Sequence, residues 1–311
     1  MKRAAAYLLA CVALLSSVVA EARLLSGVNV AALAVAGERL YVGGFDQGLF
    51  VLEEGREPRR LEAPGLSPYI NALAWSAAEQ ELWVGTARGL LRCRHGVALS
   101  CRRLGPSRAV HALLLRAGGE VVAGGDDGLI FVRGEHARLF GKKQQAPFRA
   151  VWALAEGAEH LYVGATNGLF WGREDDFHAG GRLSRASVVQ GSLLDDWVTA
   201  LLSQGGALYV GTYSGGVARL VTVDGKLSPE STSALGHVNP AGVVALSGEG
   251  LAVCSMEGLW KVSPRFRSGV PSHTPAFAED VTAVVRAGGE QERSPSRYWL
   301  GTRSGVELVL N

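Results

Sequence analysis

Leu161-Tyr162-Val163-Gly164-Ala165-Thr166-Asn167-Gly168-Leu169-Phe170 reads as a short strand, a tight turn and a second short strand. The same pattern recurs along the chain. It appears at Leu40–Phe50, Leu82–Leu91, Val121–Ile130, Leu208–Val217, Leu251–Trp260 and Tyr298–Val306. The glycines that close the turns are Gly48, Gly89, Gly128, Gly168, Gly216, Gly258 and Gly305, at intervals of 41, 39, 40, 48, 42 and 47 residues. A self-similar period near forty residues makes each copy one supersecondary unit, unable to bury its own faces alone.

A second motif precedes each copy: a β-branched residue, any residue, alanine, then leucine or valine. It runs Val30–Leu33, Ile70–Leu73, Val110–Leu113, Val151–Leu154, Val198–Leu201, Val243–Leu246 and Val281–Val284. A third element follows most copies, at Arg60-Leu61, Arg103-Leu104, Arg138-Leu139, Arg182-Leu183 and Lys226-Leu227. Each repeat therefore holds four short antiparallel strands. The expected fold is all-β, a seven-bladed β-propeller, in which radial closure hides the faces of each small sheet. The seventh copy ends after its third strand, while Arg23-Leu24 matches the fourth-strand motif. The N-terminal strand is thus expected to complete the last blade and remove an open seam.

The turn glycines are expected to need positive φ for a tight hairpin. A phosphate-cradling loop would need a helix start after the glycines, and a strand follows instead. The second strands carry Tyr41, Trp83, Tyr162, Tyr209 and Trp299 at one position. One such ring could stack on a sugar; five at the same repeat position read as filling between blades. Residues 172–195, 264–278 and 287–296 are longer connections, rich in charge, Ser, Gly and Pro. They are expected to be solvated loops.

Lys2 and Arg3 precede an uncharged apolar run from Ala4 to Ala20, and small residues stand at Ala20 and Ala22. Residues 1–22 have the layout of a secretory signal peptide cleaved after Ala20 or Ala22, leaving the propeller at 23–311. An uncleaved anchor helix, or a lipoprotein box around Cys11, are the alternatives. The expected location is secreted or periplasmic, with no membrane span after cleavage and a monomer by default. Formal net charge is +2, too balanced to suggest a nucleic-acid partner. Cys93 and Cys101 flank an expected hairpin turn at His95-Gly96. A disulfide there and two separate thiols are both open readings. Cys254 sits at a small-residue position and reads as buried and inert.

Residues 198–216, Val-Thr-Ala-Leu followed by Leu-Tyr-Val-Gly-Thr-Tyr-Ser-Gly-Gly, resemble the propeller repeat of two-component regulators. Such repeats occur in tandem in the extracytoplasmic sensor regions of bacterial hybrid histidine kinases. The resemblance extends over residues 23–311. It departs most at Ala123-Gly124-Gly125 and Val253-Cys254-Ser255. It implies a sensing or ligand-binding scaffold and supplies no fixed catalytic residues. No kinase-like or helical segment follows the seventh repeat, so a free-standing binding protein is expected.

The sequence has no zinc, calcium or nucleophile-elbow motif, and no cofactor, metal or catalytic residue is assigned. Asp126-Asp127, Asp175-Asp176 and Asp195-Asp196 read as solvated turn residues. Propellers bind where connections into the inner strands meet the turns between second and third strands. The side chains placed there as candidates are Tyr69, Arg108, His111, Arg149, Trp152, Asp196, Trp197, Tyr213 and Glu279. They differ from blade to blade, which fits a ligand-specific face and also fits drift on exposed loops. The expected function is a non-enzymatic module binding a protein, small molecule or glycan. The alternatives are a propeller hydrolase or lyase acting on a polymer such as carbohydrate, and a scaffold within an envelope complex. Ionisable side chains converging at hydrogen-bond distance in the central pocket would favour the enzyme.

Overall fold

A computed structural model describes residues 23–157, 159–223, 226–233, 235–246, 250–263, 273–277, 279–287 and 297–310. The leader expectation for residues 1–22 lies outside these residues, as does the connection at 288–296. The chain forms seven blades of antiparallel strands in a ring. Blade four shows the unit: Val151–Glu156 innermost, then Leu161–Ala165, Gly168–Gly172 and Ser184–Ala186 outermost. Blade seven supplies three strands itself, Val281–Ala287, Arg297–Thr302 and Gly305–Leu310.

Its fourth place is taken by the N-terminal segment. Leu24 pairs antiparallel with Val306, each amide donating to the other's carbonyl at 2.8 Å. Val306 follows turn glycine Gly305, just as Leu49, Leu90, Leu129 and Leu169 follow theirs. Their outer-strand partners are Leu61, Leu104, Phe140 and Ala186, so Leu24 stands in register with the outer strands of the other blades. Arg23 binds Glu307, a side chain only 5% exposed, and Ser304.

The core is divided rather than single. Seven hydrophobic clusters form, one at each blade-to-blade interface. The five repeat aromatics all lie in these wedges, Tyr41 and Trp83 buried between blades one and two and two and three respectively. Packing, not stacking on a ligand, explains them.

Two glycine positions explain the repeat. All seven turn glycines have positive φ, from 74° at Gly216 to 148° at Gly305. The glycine in each second strand meets the first β-branched residue of the next blade. A Cβ on Gly43 would lie 2.4 Å from Ile70 Cγ2, and one on Gly164 2.5 Å from Val198 Cγ1. Gly301 makes the same contact with Val30, so the rule runs round the ring and across its seam. In blade six a thiol takes this place. Cys254 is fully buried against the cluster that holds Val281, and burial pushes its ionisation up.

Three sequence expectations need correction. Residues 172–195 are not simply a solvated loop. They contain the outer strand Ser184–Ala186, whose Arg185-Ala186 takes the register place expected for Arg182-Leu183, three residues later. Phe177 is fully buried against Phe131 and Phe140, with ring centroids 6.0 Å apart in each case. Arg116 fastens the same segment through Glu174 while also bonding Glu156. Ala186 and Leu193 of the same segment are buried as well, so a few apolar residues among the charges anchor it. The connection at 264–278 likewise ends in a strand, His273–Phe277, the outer strand of blade six. The third correction is the register of the inner strand of blade six. Gly211 meets Val238, not Val243, so Val238 is the interdigitating residue. Val243 pairs with Val253, the place that leucine holds in blade four. Residues 239–242 are thus an insertion, with Ala241 at φ 53°.

Cys93 and Cys101 are bonded across the third and outer strands of blade two. The loop so closed is short, and chain-entropy arguments assign about 2.5 kcal/mol to such a loop. Thermal unfolding with and without reductant should differ by a few degrees. A Cys93→Ser/Cys101→Ser variant should melt at the lower temperature in both conditions. A wild-type transition indifferent to reductant would remove the bond from the stability account.

Candidate functional site

Six of the seven inner strands break register at one place. The shift falls between Val30 and Ala32, Ile70 and Ala72, Val110 and Ala112, Val151 and Ala153, Val198 and Ala200, and Val281 and Ala283. A bulge leaves one residue out of the ladder and re-aims its side chain. Those residues are Ala31, Asn71, His111, Trp152, Thr199 and Thr282. In blade six the insertion at 239–242 occupies the same level. The bulges therefore set six groups of five residue types around the upper end of the central channel.

Some of them are used by the ring itself. Asn71 Nδ2 donates to the Val110 carbonyl at 3.0 Å, and Asn239 Nδ2 to that of Val281 at 2.7 Å. Thr199 donates to the Val238 carbonyl at 2.7 Å. Each ties one blade to the next. Ala31, Asn71, His111, Trp152, Pro240 and Ala241 line a cavity of about 170 Å³ at this level. Its floor is the next level down, a belt of leucines including Leu33, Leu73 and Leu154.

From the cavity an aromatic ladder runs outward across blades three to six. His111 stacks on Trp152 at 4.1 Å with 5° between planes. Trp152 meets Trp197 edge-on at 5.7 Å, and Trp197 stacks on Tyr213 at 4.3 Å. Tyr213 then meets His237 edge-on at 4.0 Å. Trp152 Nε1, Trp197 Nε1 and His237 Nε2 are buried and have no hydrogen-bond partner among the described protein atoms. Buried polar atoms are normally paired, and three orphans in one ladder mark it off from the ordinary core. His111 Nε2 pairs with Asp126 Oδ1 at 2.9 Å.

The sequence candidates thus divide. His111, Trp152, Trp197 and Tyr213 come together. Tyr69 lies beside Phe45 instead, at 6.5 Å. Arg108 pairs with Asp127, Glu279 with Arg23, and Asp196 accepts the Val188 amide at 2.8 Å. Arg149 is exposed, and its amide donates to Asn167. Asn167 and Gln47 act as staples between a turn and the loop beside it. Asp195 does the same, accepting from Trp197 and Ser214. Sequence reasoning missed His237. It immediately precedes Val238, as Trp197 precedes Val198, but the motif was read at Val243.

The opposite face has a wider hollow of about 740 Å³ between blades one and two, lined by Arg39, Glu53, Arg56, Trp75 and His95. Arg39 and Arg56 both pair with Glu53 there. Hydrogen bonds from Arg39 and Arg56 hold the Glu53 carboxyl below the usual carboxylate range. Tyr41 Oη lies 2.7 Å from His95 Nδ1, and Arg59 faces His95 Nε2 at 3.3 Å. Burial first, then Arg39 and Arg59, lowers the His95 pKa. Arginine can only donate, so Nε2 accepts and Nδ1 carries the proton. Among the described residues no group of His, Cys, Asp and Glu could hold a metal ion. No described helix is long and apolar enough to cross a membrane.

This geometry has counterparts among solved structures. The extracellular domain assigned to a one component system of B. thetaiotaomicron superposes with a TM-score of 0.72 at 16% identity, over 92% of this chain and 39% of that one. An extracellular domain assigned to a hybrid two component system of the same organism gives 0.70 at 14% identity, over 92% and 40%. PorZ, a surface component of the type-IX secretion system of Porphyromonas gingivalis, gives 0.64 at 15% identity, over 93% and 38%. The shared feature is the seven-bladed ring. The chain spans about two fifths of the length of these ectodomains. No family model matches the sequence, and no curated protein matches it. The resemblance to sensor propellers, drawn from the repeat, holds at the level of fold.

Proposed function

We propose that the chain is an extracytoplasmic binding module that takes its ligand at the upper channel mouth and does no chemistry on it. The observation that carries this reading is the repeated bulge. It fixes the backbone alike in six blades while presenting five different residue types from them. A scaffold that positions unlike side chains around one cavity is built for recognition. His111 and Trp152, the inner rungs of the ladder, give one side of that cavity an aromatic wall. The likeness to extracellular propeller domains and the Cys93–Cys101 bond support an oxidising location. Residues 1–22 would then be removed as a leader, and the secreted or periplasmic protein would act as a monomer without a nucleic-acid partner.

The test is a binding screen of residues 23–311 on glycan and peptide arrays, repeated with Trp152→Ala and with Arg56→Ala. The channel variant should lose at least tenfold in affinity with its fold retained by circular dichroism. The opposite-face variant should bind like the parent. The reverse pattern would move the site to the hollow between blades one and two. The enzyme reading rests on one observation, the His111–Asp126 pair, two ionisable groups at 2.9 Å beside the cavity. A general base so oriented would need a substrate proton at Nδ1. Product release from a polysaccharide panel that disappears in His111→Gln would establish it.

A further inference from the structure

Resting on that reading of the channel mouth, we infer that its ligand is a protein partner that inserts one apolar side chain into the cavity. Three features of the molecule lead there. The first is the cavity itself. Its floor is leucine, and its volume of about 170 Å³ matches a single large side chain. Cavities of roughly 150 Å³ lined by such residues take up benzene-sized groups. The polar side-chain atoms of the lining belong to Asn71, His111 and Trp152, which a backbone passing over the mouth would meet.

The second is the ladder. A sugar ring needs an open aromatic face to stack on. Here stacking takes one face of each ring: His111 covers one face of Trp152, and Trp197 and Tyr213 each cover one face of the other. What the ladder offers outward is edges and apolar bulk, the surface that surrounds an anchor residue in a protein interface.

The third is the distribution of exposed apolar groups. Among the described residues the exposed large hydrophobics include Phe45, Tyr69, Leu194, Tyr213 and Met256. All five come from turns between second and third strands or from connections into inner strands, and so share the face that carries the mouth. Only Val97 and Val223, near turns between third and outer strands, belong to the opposite end. Some charges on the upper face pair within it, as in Arg303 with Asp280 and Arg108 with Asp127, while Arg88 and Arg149 stand exposed. A face with its apolar groups gathered and a pocket at its centre fits a protein surface with a central apolar anchor.

The experiment is a selection of random linear peptides displayed on phage against residues 23–311, run beside a glycan array. The probe for the selected class is the enriched peptide and its version with the common apolar residue changed to alanine. The expected result is enrichment of peptides sharing one Leu, Met or aromatic residue. Binding should fall at least tenfold on alanine replacement, and at least tenfold in Ala31→Trp, which fills the mouth from blade one. Tyr213→Ala, outside the cavity, should weaken binding less. Both variants must keep the parent's melting transition within a few degrees; should Ala31→Trp unfold, Asn71→Phe replaces it. Glycan binding blocked by Ala31→Trp, with no peptide enriched, would overturn the inference and leave the binding module standing. Peptides whose binding ignores both channel variants would overturn the inference and the channel site together.

Discussion

Removal of residues 23–27 is expected to lower the stability of the ring by about 4 kcal/mol or more, and its melting temperature by roughly 10 °C. The segment is short and Leu24 is 37% exposed, so apolar burial is not the main source of the effect. Two backbone hydrogen bonds to Val306 disappear, each worth about 1 kcal/mol. Glu307 loses its ion pair with Arg23, and a hydrogen bond to a charged group is worth about 2 kcal/mol. The third strand of blade seven becomes an exposed edge. Leu24→Ala, which keeps the backbone pairing, should cost less than about 1 kcal/mol. Denaturant or thermal melts of the two forms decide the matter. A truncated protein with an unchanged transition would mean that the ring closes without its N-terminal strand.

Gly164→Ala should destabilise by about 2–3 kcal/mol even though its backbone needs no special φ. The added methyl would stand 2.5 Å from Val198 Cγ1 and 3.0 Å from the Ala153 Cβ, both held in β-strands that cannot easily retreat. Val198→Ala alone should cost about 2 kcal/mol through the lost packing. The pair should be strongly non-additive, because each change relieves what the other imposes. A double variant close to the better single one would locate the constraint at the blade interface. Strict additivity would place the cost of Gly164→Ala somewhere else, for instance in the strand itself.

What could be read from the residues follows from how many neighbours constrain them. The second strands are buried on both faces, and their glycines and aromatics must fit two adjacent blades. They repeat and were legible. The turn glycines were legible because positive φ excludes most other residues. Outer strands pair on one side only, and their sequences drift. Hence Ser184–Ala186 and His273–Phe277 went unread, and Arg182-Leu183 misled. Blade six defeated the motif by coincidence: Val243-Val244-Ala245-Leu246 reproduces it five residues late, hiding Val238 and with it His237. The site was half legible. Position in the repeat picked out His111, Trp152, Trp197 and Tyr213. Whether such residues touch depends on neighbouring blades, which sequence order does not reveal. Asp196, Glu279 and Arg108 occupy similar positions yet spend their charges on local partners.

The bulges carry a consequence for redesign. A residue inside a ladder must suit its cross-strand partners, so exchanging it disturbs two strands. Ala31, Asn71, His111, Trp152, Thr199 and Thr282 stand outside the ladder in their blades, each held by the same backbone detour. Ala31, His111 and Trp152 are not among those whose side chains bond to the next blade's carbonyl. These three can be randomised together as a combinatorial library on a fixed frame. The ring then becomes a socket whose contacts can be rewritten while its closure, wedges and turns stay as they are.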